Sequence, residues 1–188
     1  MKPITNAKIE KLTARYKDKS LSRAERQEIL SELNWEKYRA DPRPSMTLKR
    51  FKALDALVYL CDVIIFGMML FGTKHHGFNA FDFAMTAVVV VCIAAAAYYL
   101  YAHSKYKIEP ADELANRNMS RASGLAAYAL IALLLAVSFV MFIVNENGVI
   151  TIPYGKLMNV LCTALFGYSF AANLIFIGLE GKEETEEE

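Results

Sequence analysis

The chain has 188 residues, 55% of them hydrophobic, and a formal net charge of only +1. Most of 53–178 is apolar, which leaves too little polar sequence for a large soluble catalytic domain, and the near-neutral balance gives no field for nucleic acid. The charges are unevenly placed: residues 1–52 carry 14 Lys/Arg against seven Asp/Glu, whereas 179–188 carry six Glu against one Lys.

Residues 6–19, NAKIEKLTARYKDK, fit a short amphipathic helix with Ile9, Leu12 and Tyr16 on one face and Lys8, Lys11, Arg15 and Lys19 on a basic one. Ser22 stands three residues before Glu25, the spacing of a capping box, so a second helix is expected from about 22 to Tyr38. It would present Ile29, Leu30, Leu33 and Trp35 before Pro42 and Pro44 end it. Two readings of this basic head stand side by side. It could lie on anionic lipid through Lys8, Lys11, Arg15, Lys19, Trp35, Lys49 and Arg50, with Trp35 and Tyr38 at headgroup level. Alternatively it is a helical hairpin packed against cytoplasmic loops.

Four apolar runs follow, at 53–72, 80–102, 122–144 and 157–178. A helix rises ~1.5 Å per residue, so each is long enough for a ~30 Å hydrocarbon core. Fifty polar residues precede the first run, which argues against a cleaved signal and for an uncleaved anchor. Thr47 is placed to cap this first span. Between the second and third runs, Glu109-Pro110 is expected to start a helix, with Glu113, Arg117 and Arg121 as an i, i+4, i+8 ion-pair ladder. Ala122, Ser123, Ala126, Ala127 and Ala129, and the Ala94–Ala97 run, allow close approach of helices, either to close the bundle or to pair copies of the chain. Asn147-Gly148 marks a turn before the last run.

Orientation follows from the cations. The head and the 103–121 segment together hold all but three of the 21 Lys/Arg, so the positive-inside rule puts both termini in the cytoplasm, across the plasma (cytoplasmic) membrane. The sequence thus predicts an all-α integral membrane protein. An antiparallel four-helix transmembrane bundle (53–178) carries a helical cytoplasmic head (1–52) and an acidic disordered tail (179–188).

Chemistry-bearing residues are sparse. Asp62 is ten residues from Lys52, hence ~15 Å into the bilayer, where an ionised carboxylate costs roughly 2.5–3.5 kcal/mol unless paired or neutral. Tyr168 or Ser169, at matching depth on the fourth span, is its expected partner. Asp55, Tyr59, Asp62, Phe66 and Met69 recur at helical spacing on one face. Nearer the cytoplasm, Asp55, Tyr59, Tyr98 or Tyr99, His103 and Asn173 form a second polar layer. Cys61, Cys92 and Cys162 sit on separate runs without CxxC or Cys-His spacing, as apolar packing residues. His75-His76, with Asp82 and Glu146, make a poor metal set, because adjacent histidines diverge on a regular backbone. Isolated serines and His103 form no nucleophile–base pair. No cofactor, metal or catalytic residue is assigned. The expected function is non-enzymatic: accessory, regulatory or scaffold, partnered by the bilayer and by a second copy or another membrane protein. The alternative is a small oligomeric proton- or cation-coupled transporter or channel that uses Asp62.

Overall fold

The computed structural model describes residues 3–18, 20–71, 80–144 and 152–186. Of these, 87% are helical, and strand is confined to one two-residue pairing, so the fold is all-helical. The six described helices are α1 (Pro3–Tyr16), α2 (Arg23–Ala40), α3 (Leu48–Phe71), α4 (Ala80–Lys105), α5 (Glu113–Val144) and α6 (Tyr154–Glu186). The last four are long and apolar enough to cross a bilayer.

The head is a hairpin. Its second helix starts at the expected capping box: Glu25 N–H donates to Ser22 Oγ at 3.3 Å, and Ser22 N–H donates to Glu25 Oε2 at 2.9 Å. Leu12 of α1 then buries against Ile29 and Leu33 of α2, with Ile9, Tyr16 and Leu21 around them. Each such side chain contributes roughly 1.5–3 kcal/mol when it leaves water, which closes the hairpin. Lys8 Nζ adds ion pairs to Glu36 Oε1 at 2.9 Å and Glu32 Oε1 at 3.1 Å.

A reciprocal set of caps ties the head to the long helices. Helices end with carbonyls that lack an intrahelical donor, and cations are favoured there. Past the end of α4, Lys107 Nζ donates to Tyr38 O at 3.0 Å and Asp41 O at 2.9 Å, closing the end of α2. Past the end of α2, Arg43 Nη1 donates to Ser104 O at 3.2 Å and His103 O at 3.4 Å, closing the end of α4. Between these caps, β1 (Ser45–Met46) and β2 (Lys107–Ile108) pair in parallel, with Lys107 N–H to Pro44 O at 2.9 Å and Glu109 N–H to Met46 O at 3.0 Å. Lys107 Nζ also stands 4.5 Å over the Tyr38 ring. The sequence reading sent Tyr38 to the lipid headgroups; here it is part of the fastening.

Among the long helices α3 and α6 make the most extensive contact, α5 flanks α6 and α4 flanks α3. The Phe166 ring of α6 stacks on Tyr59 and Phe66 of α3, and Gly167 brings α6 to Val63. Ala122 and Ala126 are each 1% exposed, so the small face of α5 is used in packing. On α4, Ala94, Ala96 and Ala97 remain exposed. A compact cluster of Ala115, Ala122 and Phe176 joins the first turns of α5 to the last turns of α6, with Leu48 and Met119 beside it.

α3 starts where Thr47 is expected to cap it, and two other boundaries at the same end of the bundle differ from expectation. α3 begins at Leu48, held by Arg50 N–H to Thr47 Oγ1 at 3.4 Å. α5 begins at Glu113 rather than at Pro110, because Asp112 Oδ1 accepts Ala115 N–H at 2.7 Å and acts as the cap. α6 continues beyond Gly178 to Glu186 where a disordered tail was expected from 179; Asn118 Nδ2 donates to Glu180 Oε1 at 2.9 Å and anchors the extension. The expected Glu113–Arg117–Arg121 ladder closes no ion pair among the described residues. The His75-His76 link, Glu146 and the Asn147-Gly148 turn lie outside the described residues.

Candidate functional site

Two places gather chemistry-bearing side chains: the acidic face of α3 and a groove beside the head. At 100° per residue, Asp55 and Asp62 lie within 20° of one another on α3, with Tyr59 and Phe66 on the flank turned to α6. Asp62 is half-buried and lies beside Cys92 of α4. The expected partnership with α6 is not formed. Ser169 Oγ bonds back to Leu165 O at 3.2 Å, and Tyr168 makes no hydrogen bond among the described residues. The stacked aromatics Tyr59, Phe66 and Phe166 occupy the α3–α6 contact instead. Asp62 itself makes no hydrogen bond among the described residues, and Met69 is exposed.

Asp55 is better served. Its Oδ2 pairs with Lys52 Nζ at 3.2 Å, with side-chain exposures of 13% and 24%, and the Tyr99 phenol lies beside it. Tyr99 packs in turn on Phe51 and His103. The second polar layer therefore divides: Asp55, Tyr99 and His103 gather between α3 and α4, whereas the buried Asn173 donates to Ser169 O of its own helix at 3.0 Å. Cys61 and Cys92 approach one another across the same α3–α4 seam, a meeting that residues 31 apart do not announce in a sequence. No group of three or more metal-ligating side chains exists among the described residues.

The lipid-surface set is also divided. Lys8 is committed to Glu32 and Glu36 inside the hairpin, and Trp35 is half-buried against Tyr38 in an edge-on contact at 5.8 Å. Lys49 Nζ sits 3.5 Å from where a side chain on Gly181 would begin. Lys11, Arg15 and Arg50 are exposed, and Lys19 lies outside the described residues.

The second place was invisible in the sequence. α2 turns Ile29, Leu33 and Glu36 toward α1, and its other face, through Ser31, Asn34 and Lys37, lines a groove of about 1220 Å³. The opposite wall is the α4–α5 connection and the first turns of α5. Only the fastening of α2 to Lys107 creates this space, so residues about eighty positions apart face each other across it. Nearby, Asp41 accepts from Arg43 at 2.7 Å, which holds the Asp41 carboxyl below the usual carboxylate range. No family model, curated protein or solved structure matches the chain, so its own geometry carries the functional reading.

Proposed function

We propose that the chain is a non-enzymatic, multi-pass membrane protein of the plasma (cytoplasmic) membrane that acts as an accessory, regulatory or scaffold component through its head. In this reading α3 to α6 are four antiparallel spans and both termini are cytoplasmic. The cation distribution supports the orientation. Two contacts support opposite directions for α3 and α6: Val63 meets Gly167, and Lys49, earlier in α3, meets Gly181, later in α6. Exposed apolar side chains along α4 and α5, such as Val91, Leu100, Leu135 and Phe139, suit a lipid surround.

The observation that carries the accessory role is the reciprocal capping by Lys107 and Arg43. It fixes a small helical hairpin in one pose against the long helices and holds an open groove at one end of them. A rigid, displayed surface is what a partner-binding protein requires. A second reading, a proton- or cation-coupled transporter or channel, is favoured by one observation: half-buried Asp62 makes no hydrogen bond among the described residues. Intramembrane acids as a class lean toward such roles.

Ion flux in proteoliposomes separates the two. The accessory reading predicts no proton or cation flux from the wild type under any imposed gradient. pH-dependent flux that Asp62→Asn abolishes, with the variant still folded, would replace it by the transport reading.

A further inference from the structure

The groove between α2 and the start of α5 has a chemistry that specifies its occupant. Three of its carboxylates, Glu28 on α2, Glu109 on the connection and Glu113 on α5, form no ion pair among the described residues. The lining cations are mostly committed: Lys107 to the end of α2, and Arg43 to Asp41 and the end of α4. Of the lining cations only Arg43 has a carboxylate partner, Asp41, so three unpaired carboxylates face the ammonium groups of Lys37 and Lys107 and the groove stays net negative. Apolar surface lies between them, from Leu30, which is 37% exposed, with Ile108, Ala111 and Met119.

We propose that this groove binds a cationic amphipathic helix, the basic juxtamembrane segment of a partner membrane protein. Its apolar stripe seats on Leu30, Ile108 and Met119, and its Lys or Arg side chains reach Glu28, Glu109 and Glu113. The negative sign of the groove disfavours the chain's own glutamate-rich end and anionic lipid headgroups as occupants. Its level supplies the source. The groove lies at the start of α5, at the cytoplasmic edge on the orientation proposed above, and there membrane proteins concentrate Lys and Arg. The inference rests on that orientation for the identity of the partner, but not for the helix-binding chemistry.

The test uses the full chain in nanodiscs of phosphatidylcholine alone, with empty nanodiscs subtracted. The probe is a fluorescent 14-residue amphipathic helix of Leu and Lys; the control replaces each Lys by Glu. Wild type should bind the Leu/Lys helix saturably and more weakly as salt rises. The triple variant Glu28→Gln, Glu109→Gln, Glu113→Gln should bind it about tenfold less tightly, as three exposed charge pairs imply. A photo-crosslinking residue at Ser31 should capture the Leu/Lys helix and not the Leu/Glu one. Equal affinity for wild type and triple variant, or capture of both helices alike, would overturn the proposal. Thiol labelling of Asn116→Cys from the outer side of sealed vesicles would instead overturn the orientation, and with it the juxtamembrane source, even where the Leu/Lys helix still binds.

Discussion

In the head and the layer beneath it, side chains have named partners: Lys8 with Glu36, Arg43 and Lys107 with the ends of α4 and α2, Asn118 with Glu180. Along the middle of α4 and α5 they have few, and Val90, Val91, Ile93 and Leu100 of α4 are each at least 60% exposed. The buried residues follow the same division. Phe176, Asn118, Ala115 and Ala122 lie where α5 starts and α6 ends, and Leu12, Ile29 and Leu33 lie in the hairpin. In the proposed bilayer setting, an apolar medium gives the outer faces of α4 and α5 no reason to pack. At the end where the head docks, the helix-end carbonyls meet the cations Lys107 and Arg43, and specific geometry results.

The sharpest way to break this contrast is to hollow out the well-packed layer. Phe176→Ala removes a side chain that is 2% exposed and should cost roughly 3 kcal/mol, measured by reversible unfolding in mixed micelles. Val91→Leu, on the outer face of α4, should stay within about 0.5 kcal/mol. Similar losses at the two positions would dissolve the distinction.

Next in size is the fastening of the head. Arg43→Ala with Lys107→Ala uncaps two helix ends and should cost on the order of 2 kcal/mol. Hydrogen exchange at the Lys107 and Glu109 amides should accelerate while the α1–α2 core stays protected. Uniform acceleration through α1 and α2 would mean that the hairpin has no stability of its own.

The smallest effect concerns pH. The Lys8 ammonium, hydrogen-bonded to Glu36 and aided by Arg39, holds the Glu36 carboxyl below its ordinary value. Because the folded acid ionises more readily than the unfolded one, its stabilisation is present above the ordinary glutamate range. It is lost as pH falls through the lowered folded value. Fluorescence of the neighbouring Trp35 should report loosening of the hairpin on the acid side, and Glu36→Gln should flatten that limb. An unchanged acid limb in the variant would assign the effect to other carboxylates, Asp41 first.

The contrast also explains what was legible beforehand. The four apolar runs mark α3 to α6 because length and hydropathy are sufficient to recognise such helices, and the Ser22–Glu25 box is visible because capping operates over three residues. The end of α6 is not legible because the helix continues into a charged stretch, where composition stops distinguishing helix from tail. Asp62 stands out in the sequence by its depth, but the expected pairing with Tyr168 or Ser169 does not form. Its spacing defines a face of α3 without saying whether that face meets α4 or α6. The groove was beyond reach altogether, since it exists only when Lys107 closes the end of a helix nearly seventy residues earlier.

In the proposed topology the four spans leave the head, the groove and both ends on the cytoplasmic side. Single cysteines placed at Asn147 and at Asn116, in a background with Cys61, Cys92 and Cys162 replaced, test this directly with an impermeant thiol reagent on sealed vesicles. The prediction is labelling of Asn147→Cys from outside, and of Asn116→Cys only after the membrane is opened. The reverse pattern, or labelling of both from one side, would contradict it.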